Sequence, residues 1–180
     1  YSTPKPLVAY QHPVLDPFPY ASPLASPPRT APWEVAGDQY LAELEDRFVE
    51  AAQLAREIGF DGIDLKMTHG YLLAELLSAR TRPGPYGGGL KNRGRCALNV
   101  LRKIRQRVGE DLLLAVRLNV YDGVPYAVSA HDAVGIPRPY PEPYLYGFGV
   151  DPQNPFELDL DEPIKLIGWF KAAGVRLLNV

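Results

Sequence analysis

The chain has 180 residues, 46% of them hydrophobic, enough for one ordinary domain with a sizeable core and too many for a small scaffold that needs staples. Its 19 Lys and Arg against 21 Asp and Glu leave a formal net charge of −2, and no basic stripe runs along any expected helix, which argues against nucleic acid or an anionic membrane as partner and for small molecules. The lone cysteine, Cys96, cannot close an intrachain disulfide and fits a reducing compartment such as the cytoplasm, and no apolar run approaches the roughly 20 residues that cross a bilayer.

Residues 1–37 are rich in Pro, Ser and Ala, with X-Pro steps at Thr3-Pro4, Lys5-Pro6, His12-Pro13, Asp16-Pro17, Phe18-Pro19 and Pro27-Pro28. Such a segment cannot be helical. Its Leu7, Val8, Tyr10, Val14, Leu15, Phe18 and Tyr20 mark a long loop pinned against a surface rather than a free linker. His12, placed before a proline, reads as solvated, with ligand contact as the alternative.

From Asp38 the period becomes 3.6. Leu41, Leu44, Phe48, Ala51, Ala52, Ala55 and Ile58 form an apolar face, with Glu43, Glu45, Arg47, Glu50, Arg56 and Glu57 opposite. Asp38 is the expected N-cap and Gly59 the C′ residue. The run Gly62-Ile-Asp-Leu65 then reads as a buried parallel strand, so that Lys66, His69 and Tyr71 lie at its carboxyl end, where parallel α/β folds place their chemistry. A cation, an imidazole and a phenol converging there can bind an oxygen and hand over a proton.

A short helix is expected over Tyr71–Ser78, a Pro- and Gly-rich loop over Arg80–Gly89, and a second amphipathic helix over about Lys91–Val108, ending at Gly109 and enclosing Cys96 as a buried, inert thiol. Leu112–Val120 follows as a strand apolar on nearly every residue, as when both faces are buried. Arg117 breaks the run and needs a partner or ligand. Residues 121–159 form a long irregular segment crowded with Tyr, Pro and Gly, and the chain closes on a helix from Asp161-Glu-Pro163 to Gly174 and a strand over Val175–Val180.

Three helix-Gly-strand units in succession imply parallel strands joined by right-handed crossovers. A complete (β/α)₈ barrel needs eight strands and roughly 250 residues, so the expected fold is α/β, an internal slice of a TIM barrel, roughly strands 4 to 6 with long loops. The chain is then a single barrel fragment: a Pro-rich loop (1–37), a helix-strand-helix-strand core (38–120), a long aromatic loop (121–159) and a terminal helix-strand unit (160–180). An open doubly wound domain is the structural alternative.

The run Gly59-Phe-Asp-Gly-Ile-Asp-Leu-Lys-Met-Thr-His-Gly-Tyr-Leu-Leu73, followed by Arg82, Tyr86-Gly-Gly88, Asn92-Arg93 and Val116-Arg-Leu118, resembles the middle of the old yellow enzyme family of NADH:flavin oxidoreductases, which are FMN-binding (β/α)₈ barrels. The resemblance implies FMN as cofactor, NAD(P)H as reductant and, in extended members, an iron–sulfur cluster beyond the C-terminal end of this chain. The family's substrate-oxygen pair falls on Lys66 and His69, its proton-donating tyrosine on Tyr71, and the arginine beside the flavin N1–C2=O edge on Arg117. Tyr86-Gly-Gly88 and Asn92-Arg93 shape the loop and the helix start. Lys66 departs from the usual histidine, and an ammonium favours a carboxylate-like or enolate-like oxygen; Gly89 and Lys91 depart from the common Ser and Glu.

The resemblance points to an ene-reductase that delivers hydride from reduced flavin to an activated C=C bond of a small molecule, with a homo-oligomer left open. Other readings stay in view. Lys66 could be a Schiff-base nucleophile as in class I aldolases, or the chain could be a non-catalytic barrel remnant. Residue by residue, Lys66 could snorkel into water, Tyr71 could pack in its helix turn, and Arg117 could pair with Asp64.

Overall fold

Ile63, Leu65 and Met67 alternate with Asp64 and Lys66 along one short strand, which gives the sheet a face to bury, and helices supply the cover. A computed structural model describes residues 7–15, 33–128 and 134–180. Strands β1 (Gly62–Met67), β2 (Leu113–Leu118) and β5 (Leu177–Asn179) form one parallel sheet in the order β1-β2-β5. β1 pairs with β2 from Gly62↔Leu113 to Met67↔Leu118, and β2 with β5 from Ala115↔Leu177 to Arg117↔Asn179. Leu65, Met67, Leu114, Val116 and Leu118 point to one side and are buried in a core shared with Leu41, Leu101 and Ile104 of the helices. The opposite side carries Asp64, Lys66, Leu113, Arg117, Leu177 and Asn179, and most of it is open.

The covering helices are α1 (Asp38–Glu57) and α4 (Arg95–Val108), with α5 (Asp161–Ala172) preceding β5. Gly59 and Gly174 follow α1 and α5 at φ 89° and 90°, a conformation open to glycine, and each turns the chain directly into its strand. No described helix is long and apolar enough to cross a membrane.

Several expectations need correction. Asp38 is not the N-cap of α1: Gly37 holds that place, and the Asp38 carboxylate takes Arg82 Nη2 at 2.7 Å instead. Glu45, assigned to the polar face, is buried and accepts hydrogen bonds from Tyr86 Oη (2.9 Å) and Asn99 Nδ2 (3.0 Å), with Lys103 Nζ at 3.1 Å. Ile58, assigned to the apolar face, is exposed beyond the end of the sheet contact. The second amphipathic helix is broken at Gly94 into α3 (Leu90–Arg93) and α4, where a Cβ would come within 2.9 Å of Leu166 Cδ1. β2 is shorter than its apolar run and is buried on one face and only at Ala115 on the other, where Leu113 and Arg117 stay exposed.

The segment 121–159 is not wholly irregular. It holds an antiparallel pair, β3 (Tyr126–Val128) with β4 (Gly135–Pro137), and bridges at Asp122↔Phe148 and Val150↔Leu158. Tyr144 and Phe148 are buried within it.

The segment packs on residues 7–15, where Tyr10 stacks on Tyr146 at 6.3 Å between ring centroids. Val8 bridges Val35, and Ala9 N donates to Glu75 Oε2 at 2.8 Å. The expected loop features at Pro4, Pro6, Pro17, Phe18, Pro19, Tyr20 and Pro28 lie outside the described residues.

His12 is buried rather than solvated. Its Nδ1 accepts from Val14 N and Leu15 N at 3.2 and 3.1 Å, and Nε2 lies 3.4 Å from Tyr144 Oη, so the hydrogen-bond pattern assigns the neutral Nε2–H tautomer. Cys96 is buried in α4, as expected, and burial pushes its thiol up to about 12.

Candidate active site

The carboxyl end of β1 is built by pairing on one side and a backbone reversal on the other. The expected strand stopped at Leu65; β1 continues to Met67, because its register with β2 persists to Leu118 and Asn119 N closes on Met67 O at 3.1 Å. Lys66 therefore sits on the strand itself, one residue before its end. His69 and Gly70 then adopt left-handed conformations, φ 59° and 63°. For a histidine this costs on the order of 1 kcal/mol, a strain often found at functional loops. The reversal places Tyr71 at the N-cap of α2 (Leu72–Ser78), its carbonyl accepting from Ala74 N at 2.8 Å and Glu75 N at 3.0 Å.

This turn brings the Tyr71 ring back to Lys66, whose Nζ stands 3.9 Å from the ring centroid. Such a contact is worth about 0.5–1 kcal/mol at an exposed site. Tyr71 keeps 45% of its surface exposed, so it is not merely packing in the helix turn. His69 is exposed on the loop between them.

Arg117 is the Cα partner of Lys66 across β1 and β2, and the pleat sends both side chains to the same open face. Its Nη2 donates to Asp64 Oδ2 at 2.9 Å, with both side chains substantially exposed. The pairing with Asp64, the structural alternative for Arg117, is thus realised. In solvent it contributes no more than about 1 kcal/mol and uses only part of the guanidinium fork.

The sequence reading missed Asn179, which the register sets beside Arg117 on the same face. No local pattern in Leu177-Leu178-Asn179 could have found it, because its place beside Arg117 is set by register between strands.

The loop after α2 is held from behind. Arg82 Nη1 donates to Ala9 O at 2.6 Å and Nη2 to Ala36 O at 2.7 Å. Buried Arg93 binds Gly88 O at 2.7 Å, Leu77 O, and Glu162 Oε1 at 2.5 Å, while Glu162 Oε2 takes Arg80 at 2.7 Å. These arginines shape the frame behind the site and tie α2 and α3 to α5.

The sequence profile of the NADH:flavin oxidoreductase / NADH oxidase family matches residues 36–135, more than half of the chain and the part that contains Lys66, His69, Tyr71 and Arg117. The chain belongs to that family. It is 40% identical to the NADH oxidase of Thermoanaerobacter brockii over 81 residues, 44% of this chain and 12% of that protein. It is 36% identical to the NADH-dependent flavin oxidoreductase iccE of Talaromyces variabilis over 85 residues, 46% of this chain and 20% of that protein. The chain thus spans a fifth or less of the length of these two family members. The structure of the old yellow enzyme homologue from Zymomonas mobilis matches 82% of this chain and 34% of its own, with a TM-score of 0.55 at 21% identity, a likeness of fold. The parallel sheet and its helices accordingly have the α/β architecture of part of such a barrel.

Proposed function

We propose that the protein is an FMN-dependent oxidoreductase of the ene-reductase type, that NAD(P)H is its reductant, and that β1, β2 and β5 correspond to the fourth, fifth and sixth strands of a (β/α)₈ barrel. The observation that carries this reading is the pairing of Lys66 with Arg117 on the open face of the sheet, with Tyr71 folded back over Lys66.

The donor set suits a flavin. A packed barrel interior would be filled by branched apolar side chains, whereas here a guanidinium and an ammonium stand exposed at the strand ends. Arg117 retains N–H groups beyond the one spent on Asp64, and its fixed fork matches the N1–C2=O edge of an isoalloxazine. When bound, the flavin supplies a hydride to the β-carbon of the acceptor, and NAD(P)H returns the electron pair.

The chain's own residues do the rest. Lys66 and His69 hold the acceptor's oxygen and stabilise the charge that develops on it. Tyr71 donates its phenolic proton to the α-carbon, and solvent restores that proton. Arg117 offsets negative charge at the flavin edge. The Schiff-base reading of Lys66 is weaker on geometry: imine-forming lysines are activated where charge is removed, whereas a ring face attracts the ammonium.

The test uses the full-length protein. It is expected to purify with flavin absorbance, and Tyr71→Phe should slow the oxidation of reduced flavin by an enone about 10²–10⁴-fold while leaving reduction by NAD(P)H within a small factor. Stopped-flow measurement of the two half-reactions separates these effects. A colourless protein, or equal slowing of both halves, would overturn the reading.

A further inference from the structure

We propose that Lys66 is an anion-binding residue that selects acceptors bearing a carboxylate, the carboxylate lying on the side of Nζ away from the Tyr71 ring. This rests on the flavoenzyme reading and names the substrate class of that same site. Among the described residues, the open face of β1 and β2 carries two cations, Lys66 and Arg117, and one carboxylate, Asp64. Arg117 takes the carboxylate at 2.9 Å. No ion pair or hydrogen bond to another described residue engages Lys66, whose contact is the face of Tyr71. One positive charge is therefore left uncompensated at the mouth of the site, half-buried, with its N–H donors unspent among the described residues.

A ring face solvates an ammonium through its quadrupole but accepts none of its N–H groups as an oxygen does. A ligand oxygen can therefore add to the contact without displacing a protein acceptor. The charge balance favours a monoanion. Phosphate sites are usually built from backbone N–H groups at a helix start or a glycine-rich nest, and α2, which starts here, is a short helix of seven residues.

The placement also agrees with the chemistry. In a 2-enoate the carbon that must receive a proton is bonded directly to the carboxylate carbon. Seating the carboxylate on Lys66 therefore fixes that carbon one bond from the anchored group, in the same mouth that holds the Tyr71 phenol. A neutral enone gains less from this site, because its carbonyl carries no full charge for Lys66 to meet.

The experiment uses flavin-loaded full-length protein with benzoate and benzamide as non-reacting probes, followed by calorimetry and by the change in the flavin spectrum. Lys66→Gln should weaken benzoate about 10–100-fold, as expected for loss of a charge-assisted hydrogen bond, and leave benzamide within about threefold. Lys66→Arg should restore most of the benzoate affinity. With an aryl 2-enoate and its methyl ester as substrates, the preference for the acid in kcat/KM should collapse in Lys66→Gln by a similar factor.

Flavin retained with benzoate and benzamide weakened alike, or with neither affected, overturns the anion site and leaves the flavoenzyme reading standing. Absence of flavin from the wild-type protein defeats that reading instead. Borohydride trapping of an aldehyde on Lys66 would also overturn the proposal, because the residue would then act as a nucleophilic amine.

Discussion

At the scale of single residues, burial decides more than residue type. His12 looks like a solvated loop residue, yet its Nδ1 accepts two backbone N–H groups and its ring lies among Tyr10, Tyr144 and Tyr146. Burial lowers its pKa from 6.5 to about 4. Because the unfolded chain binds the proton more readily, the contribution to stability is complete above pH 6.5. It declines as pH falls from 6.5 through about 4, by on the order of 3 kcal/mol. Urea unfolding at neutral pH and near pH 4.5 should show this loss, and His12→Gln should remove that part of the pH slope. Equal slopes in the two proteins would mean that His12 does not carry the effect. Glu45 makes the same point with charge. Glu45→Ala, which leaves the buried Tyr86 hydroxyl and the partly buried Asn99 amide without their acceptor, should cost about 3 kcal/mol in a denaturant titration, and Glu45→Gln about 1 kcal/mol.

At the scale of elements, the helices were legible because each repeats its apolar spacing over several turns, and the helix-ending glycines at 59, 109 and 174 marked where strands begin. The residue types at the carboxyl end of β1 were legible too. Their geometry was not. A histidine at φ 59° is not foreshadowed by its neighbours, and that turn is what lays Tyr71 on Lys66. With β1 running to Met67, strand parity puts Lys66 and Asp64 on one face, but the alignment of Lys66 with Arg117 is a register between strands about fifty residues apart. The partners of Glu45 lie 41 and 54 residues along the chain, so local periodicity could only assign it to the polar face. The hairpin of β3 and β4 has three residues per strand, too few for alternation to stand out in a Pro- and Tyr-rich segment.

At the scale of the molecule, the sheet of β1, β2 and β5 is clothed on one side and bare on the other, and both outer strands present unpaired edges among the described residues. Leu113 and Leu177 stand exposed on the bare face, Leu177 at 54%, and Leu178 and Val180 are exposed at the outer strand, Val180 at 73%. In a closed barrel the strands on either side would satisfy those edges, and the bare face would become the interior. A polypeptide of these 180 residues produced alone should therefore self-associate and hold FMN weakly, since of the proposed flavin contacts it presents Arg117. Sedimentation should show a weight-average mass that rises across micromolar concentrations, and a dye that fluoresces on apolar surface should bind. Replacing Leu113 and Leu177 together by Lys adds charge to the bare face without touching the helix-covered core, and should shift the distribution towards monomer while helical circular dichroism is retained. A wild-type 180-residue polypeptide that stays monomeric, binds no such dye and retains FMN through gel filtration would show that the open face is self-sufficient, and the assignment of these strands to the middle of a larger barrel would fall with it.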